Sequence, residues 1–162
     1  MKNRILILSL VVATLFACNS DSMISDDMNK KGGERPFKVK KLEGTYALGG
    51  NATCATLTAI GEGTVSHLGK SEILEEWCFN PLVENDLGTR TIKFTAANGD
   101  ELYGDIKTIE WEGLTFMEEV QIMGGTGRFE NATGTFTETV EISDPTTGSG
   151  TFTYSAEGTI SY

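Results

Sequence analysis

The feature that most restricts the fold of this chain is the alternation of apolar and polar residues between positions 42 and 162. Gly, Thr, aromatic and β-branched residues dominate this stretch, and turn signals recur about every ten residues. No segment of it keeps a helical period over several turns. The pattern therefore predicts an all-β domain.

Nine strands are predicted, at residues 43–48, 55–60, 64–68, 71–79, 89–97, 100–111, 115–123, 133–142 and 151–162. Asn98-Gly99 predicts a tight hairpin because both positions tolerate positive φ. Residues 144–150 form a second clear turn signal. Eight or nine consecutive antiparallel strands favour a closed, up-and-down barrel, in which closure removes exposed edges, and a two-sheet β-sandwich is the alternative.

The first residues of the chain carry signals for export. Lys2 and Arg4 precede an apolar run, residues 5–13, that is shorter than the about 20 residues needed to span a bilayer, as in a signal peptide. The sequence LFAC at 15–18 resembles the bacterial lipobox, and the resemblance implies cleavage after residue 17 and acylation of Cys18. No Asp follows Cys18 directly, which by the same resemblance implies the outer membrane.

These signals divide the chain into a lipoprotein signal peptide at 1–17, a lipidated cysteine with a flexible tether at 18–41, and a β-barrel domain at 42–162. The tether is rich in Ser, Asp, Asn, Lys and Gly and has no periodic apolar set. The expected location is the cell envelope, on the periplasmic or the outer side. The expected partner is membrane lipid, bound through the acyl chains of Cys18.

Charge and cysteine content restrict the partners further. Loss of Lys2 and Arg4 with the signal peptide lowers the formal charge from −10 to −12, which argues against nucleic acid as a partner. Cys54 and Cys78 are an even pair in an oxidising compartment, so a disulfide is one possibility. It would close a loop of about 25 residues and stabilise the fold by about 3 kcal/mol. One histidine and no paired Cys or His spacing predict no metal site, and no cofactor fingerprint is present.

Three motifs resemble a known family more specifically than the strand count does. They are GTVSHLG at 63–69, AANGDEL at 96–102 and GGTGRFENATG at 124–134. Their order and spacing resemble secreted bacterial proteins similar to the allene oxide cyclase and dirigent barrels, which are calycin-like. The resemblance implies an eight-stranded barrel with an interior cavity, often in a homo-oligomer; plant members guide cyclisation or radical coupling of hydrophobic molecules. No catalytic residue of that family has a matching position here.

The third motif is interpreted as structural. Gly124, Gly125 and Gly127 permit a tight turn with positive φ. Arg128 is expected to bind nearby carbonyls or a carboxylate, and Phe129 to plug one end of the barrel. This glycine-rich segment lacks the Lys and Ser/Thr of a phosphate-binding loop.

Strand parity places several ionisable residues in phase with the apolar set, and thus inside the barrel. The residues expected to line a cavity are Glu75, Trp77, Arg90, Glu118 and Glu138, with His67 following Val65 and Leu114 in the phase of Glu118. A buried carboxylate is costly, so these acids need water, an Arg partner, protonation or a ligand. If bulges reverse the parity, the glutamates are instead solvated.

Three functions fit these expectations. The favoured one is a membrane-anchored barrel that binds a small, partly apolar ligand, such as a small hydrophobic molecule. A cyclase or isomerase would use Glu118 and Glu138 as acids, Arg90 as anion stabiliser and His67 as a proton shuttle. A cell-surface structural or interaction protein would have a filled interior. No nucleophile motif favours the enzyme.

Overall fold

The structure, a computed structural model, describes residues 33–80, 82–83, 88–143 and 145–162. The predicted signal peptide, Cys18 and the tether up to residue 32 lie outside the described residues. Within the described part of the chain, no helix has the length and apolarity needed to cross a membrane.

Eight antiparallel strands form a closed barrel, each pairing with the next in sequence and the last with the first. The all-β, up-and-down barrel predicted from the sequence is confirmed, and the sandwich alternative is not found. The strands are β1 Arg35–Asn51, β2 Cys54–Val65, β3 Gly69–Phe79, β4 Thr89–Ala96, β5 Glu101–Glu112, β6 Thr115–Gly125, β7 Thr133–Ile142 and β8 Ser149–Ser161.

Two predicted strands, at 55–60 and 64–68, are one continuous strand. The Gly61-Glu62-Gly63 segment predicted as a break lies inside β2, opposite β1 and β3. A Cβ on Gly61 would lie 2.7 Å from the carbonyl oxygen of Glu43, and one on Gly63 would lie 2.7 Å from Cβ of Leu42. These glycines therefore allow two strands to approach closely, and they do not end the strand.

The barrel begins at Arg35, earlier than the predicted start at Leu42. Phe37 and Val39 point into the core, but a register shift between Val39 and Leu42 breaks the alternation on both edges of β1. This bulge places two exposed residues, Lys40 and Lys41, between inward side chains. Because the period is interrupted there, residues 35–41 resemble a polar tether in the sequence.

The interior is filled by aromatic and aliphatic side chains that alternate with outward polar residues along each strand. The ring of Phe37 stacks on Phe136 with centroids 4.7 Å apart, and Phe94 meets Phe37 and Tyr154 edge to face. These rings are almost completely shielded from solvent. The interior cavity expected from the family resemblance is therefore occupied by packed side chains around these rings.

The two ends of the barrel differ in chemistry. One end, which we call the apolar end, carries four exposed apolar side chains on or beside the β3–β4 and β5–β6 connections: Leu82, Val83, Trp111 and Leu114. The other, the polar end, carries His67, Asp100 and Arg128. Leu114 was expected inside, but it follows Gly113, which has a φ of 64°, in the turn between β5 and β6.

Candidate functional site

The structure brings four of the predicted ionisable residues together inside the barrel, toward its apolar end. Glu75 lies on β3, Arg90 on β4, Glu118 on β6 and Glu138 on β7, and all four are buried. Each follows the alternation of its strand, as parity predicted, because no register shift interrupts these strands where they pair around the site. We call Glu75, Glu118 and Glu138 the carboxyl cluster.

Two aromatic residues hold the carboxyl cluster by hydrogen bonds. The Tyr154 hydroxyl donates to Oε2 of Glu138 at 2.7 Å, and the Trp77 indole Nε1 donates to Oε1 of Glu75. Sequence reasoning missed Tyr154, although it alternates with Phe152 and Ala156 along β8. A buried tyrosine needs a hydrogen-bond partner for its hydroxyl, so that alternation was a usable signal.

Arg90 lies between the carboxyl cluster and the apolar end. Its Nη1 is 3.7 Å from Oε1 of Glu118, and its guanidinium lies over the Trp77 ring, 4.6 Å from the centroid. Trp77 is the direct cross-strand neighbour of Arg90, which explains the stacking. The Nε atom of Arg90 is buried and has no hydrogen-bond partner.

Burial raises the pKa of each carboxyl in the cluster and so opposes its ionisation. Burial raises the pKa of Glu118 to about 12, with a further rise from the charge of Glu75. Burial and the charge of Glu138 raise the pKa of Glu75 to about 8. Burial also raises the pKa of Glu138, and burial together with the charge of Glu138 raises that of Tyr154. One arginine does not offset three carboxylates removed from water.

The spacing of the three carboxyls is also suited to binding a cation. Each of the three carboxyls offers one oxygen, and these oxygens lie within 4.8 Å of one another. The sequence predicted no metal site because it has one histidine and no paired Cys or His spacing. Oxygen ligands from three separate strands leave no such spacing in the sequence.

His67 does not join the site and lies at the polar end, so its predicted role as a proton shuttle to the glutamates is wrong. β2 ends at Val65, and His67 sits in the following turn with a φ of 67°, where strand parity no longer applies. Its ring Nε2 donates to the carbonyl oxygen of Pro36 at 2.9 Å. The ring also meets Tyr162 edge to face.

The glycine-rich motif closes the polar end. Gly124 and Gly127 have φ values of 98° and 55°, and a Cβ on Gly125 would lie 2.0 Å from the carbonyl oxygen of Glu101. Arg128 donates to the carbonyl oxygen of His67 at 2.5 Å, and Phe129 is completely buried. The contacts of Arg128 and the burial of Phe129 agree with the structural role that the motif predicts.

Cys54 and Cys78 form a disulfide that joins the start of β2 to the end of β3. Their Cα atoms are 5.2 Å apart. The bridge lies near the apolar end, one residue beyond the Trp77 that contacts Arg90. It therefore ties together two strands at the part of the barrel that holds the site.

An aromatic group covers the apolar end above Arg90. Trp111 packs on Phe116 with centroids 4.6 Å apart, and both rings meet Trp77 edge to face. A register shift between Ile106 and Thr108 turns the end of β5, so that Trp111 pairs with the inward-facing Phe116. Trp111 nevertheless remains 54% exposed because it lies at the rim. The exposed Trp111 thus lies outermost at this end, and the buried Trp77, on which Arg90 stacks, lies behind it.

Comparisons with known proteins give limited similarity. Comparison with protein-family models and with curated proteins found no match to the sequence. Among solved structures, the chain is similar to a pterocarpan synthase dirigent protein, with 17% sequence identity and a TM-score of 0.49 over 80% of this chain and 86% of the other. The closed barrel is evident from the strand pairing of this chain itself.

Proposed function

We propose that the protein is an exported, membrane-anchored barrel that binds a small, partly apolar molecule at its apolar end. The observation that carries the proposal is Arg90, a buried cation with an unpartnered Nε, stacked on Trp77, which in turn meets the exposed ring of Trp111. Buried donors without partners are rare in native structures, so such a donor suggests a missing acceptor.

The contacts at the apolar end suggest the chemistry of the ligand. Trp111, which is 54% exposed, offers a ring face to an aromatic or aliphatic body, and Arg90 offers a donor to an anionic or carbonyl oxygen. Stacking on Trp77 leaves the guanidinium little freedom to move, which reduces the entropy lost when a ligand binds. A ligand with an apolar ring or chain and one oxygen acceptor fits both features.

This binding mode differs from the interior cavity that the family resemblance implies. The centre of the barrel is packed by Phe37, Phe94 and Phe136, so the ligand would lie across the rim. The acid–base hypothesis retains Glu118 and Glu138 inside the barrel, but neither carboxyl is exposed to a substrate. Binding at the rim requires less rearrangement than catalysis at the cluster.

The membrane anchor is supported by the lipobox-like residues before Cys18 and by a disulfide of the kind found in exported proteins. Acylation can be tested by detergent phase partitioning of the full chain. The wild-type protein should enter the detergent phase, and Cys18→Ala should stay in the aqueous phase. Equal partitioning of the two would rule out this anchor.

Ligand binding can be tested by native mass spectrometry of the full-length protein purified in detergent from its own host. A retained small molecule is expected in the wild type and should be lost in Arg90→Met, which keeps the stem of the side chain but removes its donors. Lys70→Met, at an exposed position near the polar end, is the matched control and should retain it. A clean apo mass in the wild type, or retention in Arg90→Met, would contradict the proposal.

A further inference from the structure

Three carboxyls from three strands meet inside the barrel at distances suited to one ion. One oxygen each of Glu75, Glu118 and Glu138 lies within 4.8 Å of the other two. Calcium–oxygen distances are about 2.3–2.6 Å and magnesium–oxygen distances about 2.0–2.1 Å, so oxygens around one such ion are separated by about 3–5 Å. The carboxyl cluster therefore has the spacing of a preformed oxygen site.

Three oxygens of the carboxyl cluster receive no hydrogen bond, and the nearest cation, Nη1 of Arg90, lies 3.7 Å from Oε1 of Glu118. Both side-chain oxygens of Glu118, and Oε1 of Glu138, are buried and have no hydrogen-bond partner. The Glu118 side chain has no exposed surface, so bulk water does not supply the missing contacts. An unpartnered buried polar group costs about 1–3 kcal/mol, more when it is charged, and native structures rarely leave several together. These atoms point to a ligand that accepts electron pairs.

The hydrogen bonds that the carboxyl cluster does receive resemble those of the outer shell around a metal site. Trp77 occupies one oxygen of Glu75, and Tyr154 occupies Oε2 of Glu138. Such donors orient metal-binding carboxylates and keep them from rotating away. Because Trp77 and Tyr154 come from β3 and β8, the shell is built by the barrel as a whole.

The formal charges balance with a divalent ion. Among the described residues, the buried charged side chains are the three carboxylates and Arg90, which sum to −2 when all are ionised. One divalent cation makes the group neutral. A monovalent ion leaves a negative charge in the dry interior, where uncompensated charge is costly.

We propose that Glu75, Glu118 and Glu138 form a site for one oxygen-preferring divalent cation of the calcium, magnesium or manganese class. The absence of nitrogen and sulfur donors selects these ions over zinc and copper. This inference is independent of ligand binding at the apolar end. It concerns the carboxyl oxygens and not Nε of Arg90, and the two kinds of binding are tested by different measurements.

Calorimetric titration of the full-length, EDTA-treated protein with Ca²⁺ and with Mn²⁺ tests the site. One ion per chain is expected. Glu118→Gln and Glu138→Gln, which keep the side-chain shape, should weaken binding about tenfold or more. Glu119→Gln and Glu141→Gln are matched controls on the same two strands with outward side chains, and they should bind as the wild type does.

Terbium luminescence locates the ion and serves as a second measurement. Trp77 contacts Glu75 directly, so excitation of the indole should sensitise Tb³⁺ bound at the cluster. This emission should fall in Trp77→Phe, where Tyr154, which contacts Glu138, remains as a sensitiser, and excess Ca²⁺ should displace the probe. Added Ca²⁺ should also raise the melting temperature of the wild type more than that of Glu118→Gln at the same Ca²⁺ concentration.

Three outcomes would overturn the inference. The first is the absence of stoichiometric Ca²⁺ or Mn²⁺ binding to the wild type. The second is equal binding by the wild type and a folded Glu118→Gln or Glu138→Gln variant. The third is sensitised Tb³⁺ emission of equal intensity from the wild type and a folded Glu118→Gln variant. Circular dichroism spectra of each variant establish folding, so a loss of binding is separated from a loss of structure.

Discussion

Glu118 of β6 and Glu138 of β7 are direct cross-strand partners, and both carboxyls are sealed inside the barrel. Like charges at opposed strand positions are destabilising even at a surface. Here no bulk water screens them, and Arg90 approaches only Glu118. The two carboxyls must therefore be protonated or bind a cation. For this reason we expect the stability of the protein to depend on pH and on bound cations.

In the EDTA-treated protein, stability should decrease as the pH rises from about 5 to about 8. The pKa of Glu75 is raised from 4.5 to about 8, and that of Glu118 to about 12, both chiefly by burial. The folded state keeps protons that the unfolded chain has already lost, so each rise in pH favours unfolding. For Glu75 the loss begins near 4.5 and levels off above about 8.

Thermal melts across that range check the prediction. The groups around Glu75 and Glu118 are Arg90, Glu138, Trp77 and Tyr154, so the slope belongs to the cluster as a whole. Glu118→Gln should flatten the slope because an amide does not titrate, and Glu119→Gln should follow the wild type. A melting temperature that is unchanged between about pH 5 and about pH 8 would contradict the prediction.

Loss of the Cys54–Cys78 bridge should lower the free energy of unfolding by about 3 kcal/mol. The bridge closes a loop with a sequence separation of 24, which limits the freedom of the unfolded chain. Urea denaturation of the Cys54→Ser/Cys78→Ser variant measures the effect. Dithiothreitol should destabilise the wild type and leave this variant unchanged; the same sensitivity in both would contradict the assignment.

Phe129→Ala should lower the free energy of unfolding by about 3–5 kcal/mol, since it removes a completely buried ring. The ring closes the polar end against Tyr162, with centroids 5.0 Å apart. Met123→Ala is the control: this exposed side chain should cost about 0.5 kcal/mol or less. Denaturant unfolding compares the two, and equal losses would argue against Phe129 as the closure.

Deletion of residues 35–41 from the full chain should abolish the cooperative thermal transition. These residues form the first part of β1, they pair with β8, and they supply the buried Phe37 and Val39. A deletion of equal length at 22–28, within the predicted tether, is the control and should melt as the wild type does. Cooperative melting of the first variant would show that the barrel begins later than Arg35.

The local sequence pattern was sufficient to predict which side chains face inward where this depends on a single regular strand. Alternation in β3, β4, β6 and β7 places Glu75, Arg90, Glu118 and Glu138 inward without knowledge of their neighbours. Predictions from this alternation were wrong where a bulge or a turn interrupts a strand. The bulge after Val39 hid the start of β1, and the turn after Val65 removed His67 from the interior. The two-residue alternation of side-chain direction does not continue across a bulge or through a residue with positive φ.

The sequence by itself determined an all-β chain, its strand parity and the burial of several acids. Only the tertiary structure decided that three of these acids meet, that Tyr154 and Trp77 hold them, and that aromatic rings fill the centre of the barrel. The physical reason is that the sheet closes into a barrel. Parity is local to one strand, whereas the distance between β3, β6 and β7 across the interior depends on how eight strands curve into a ring.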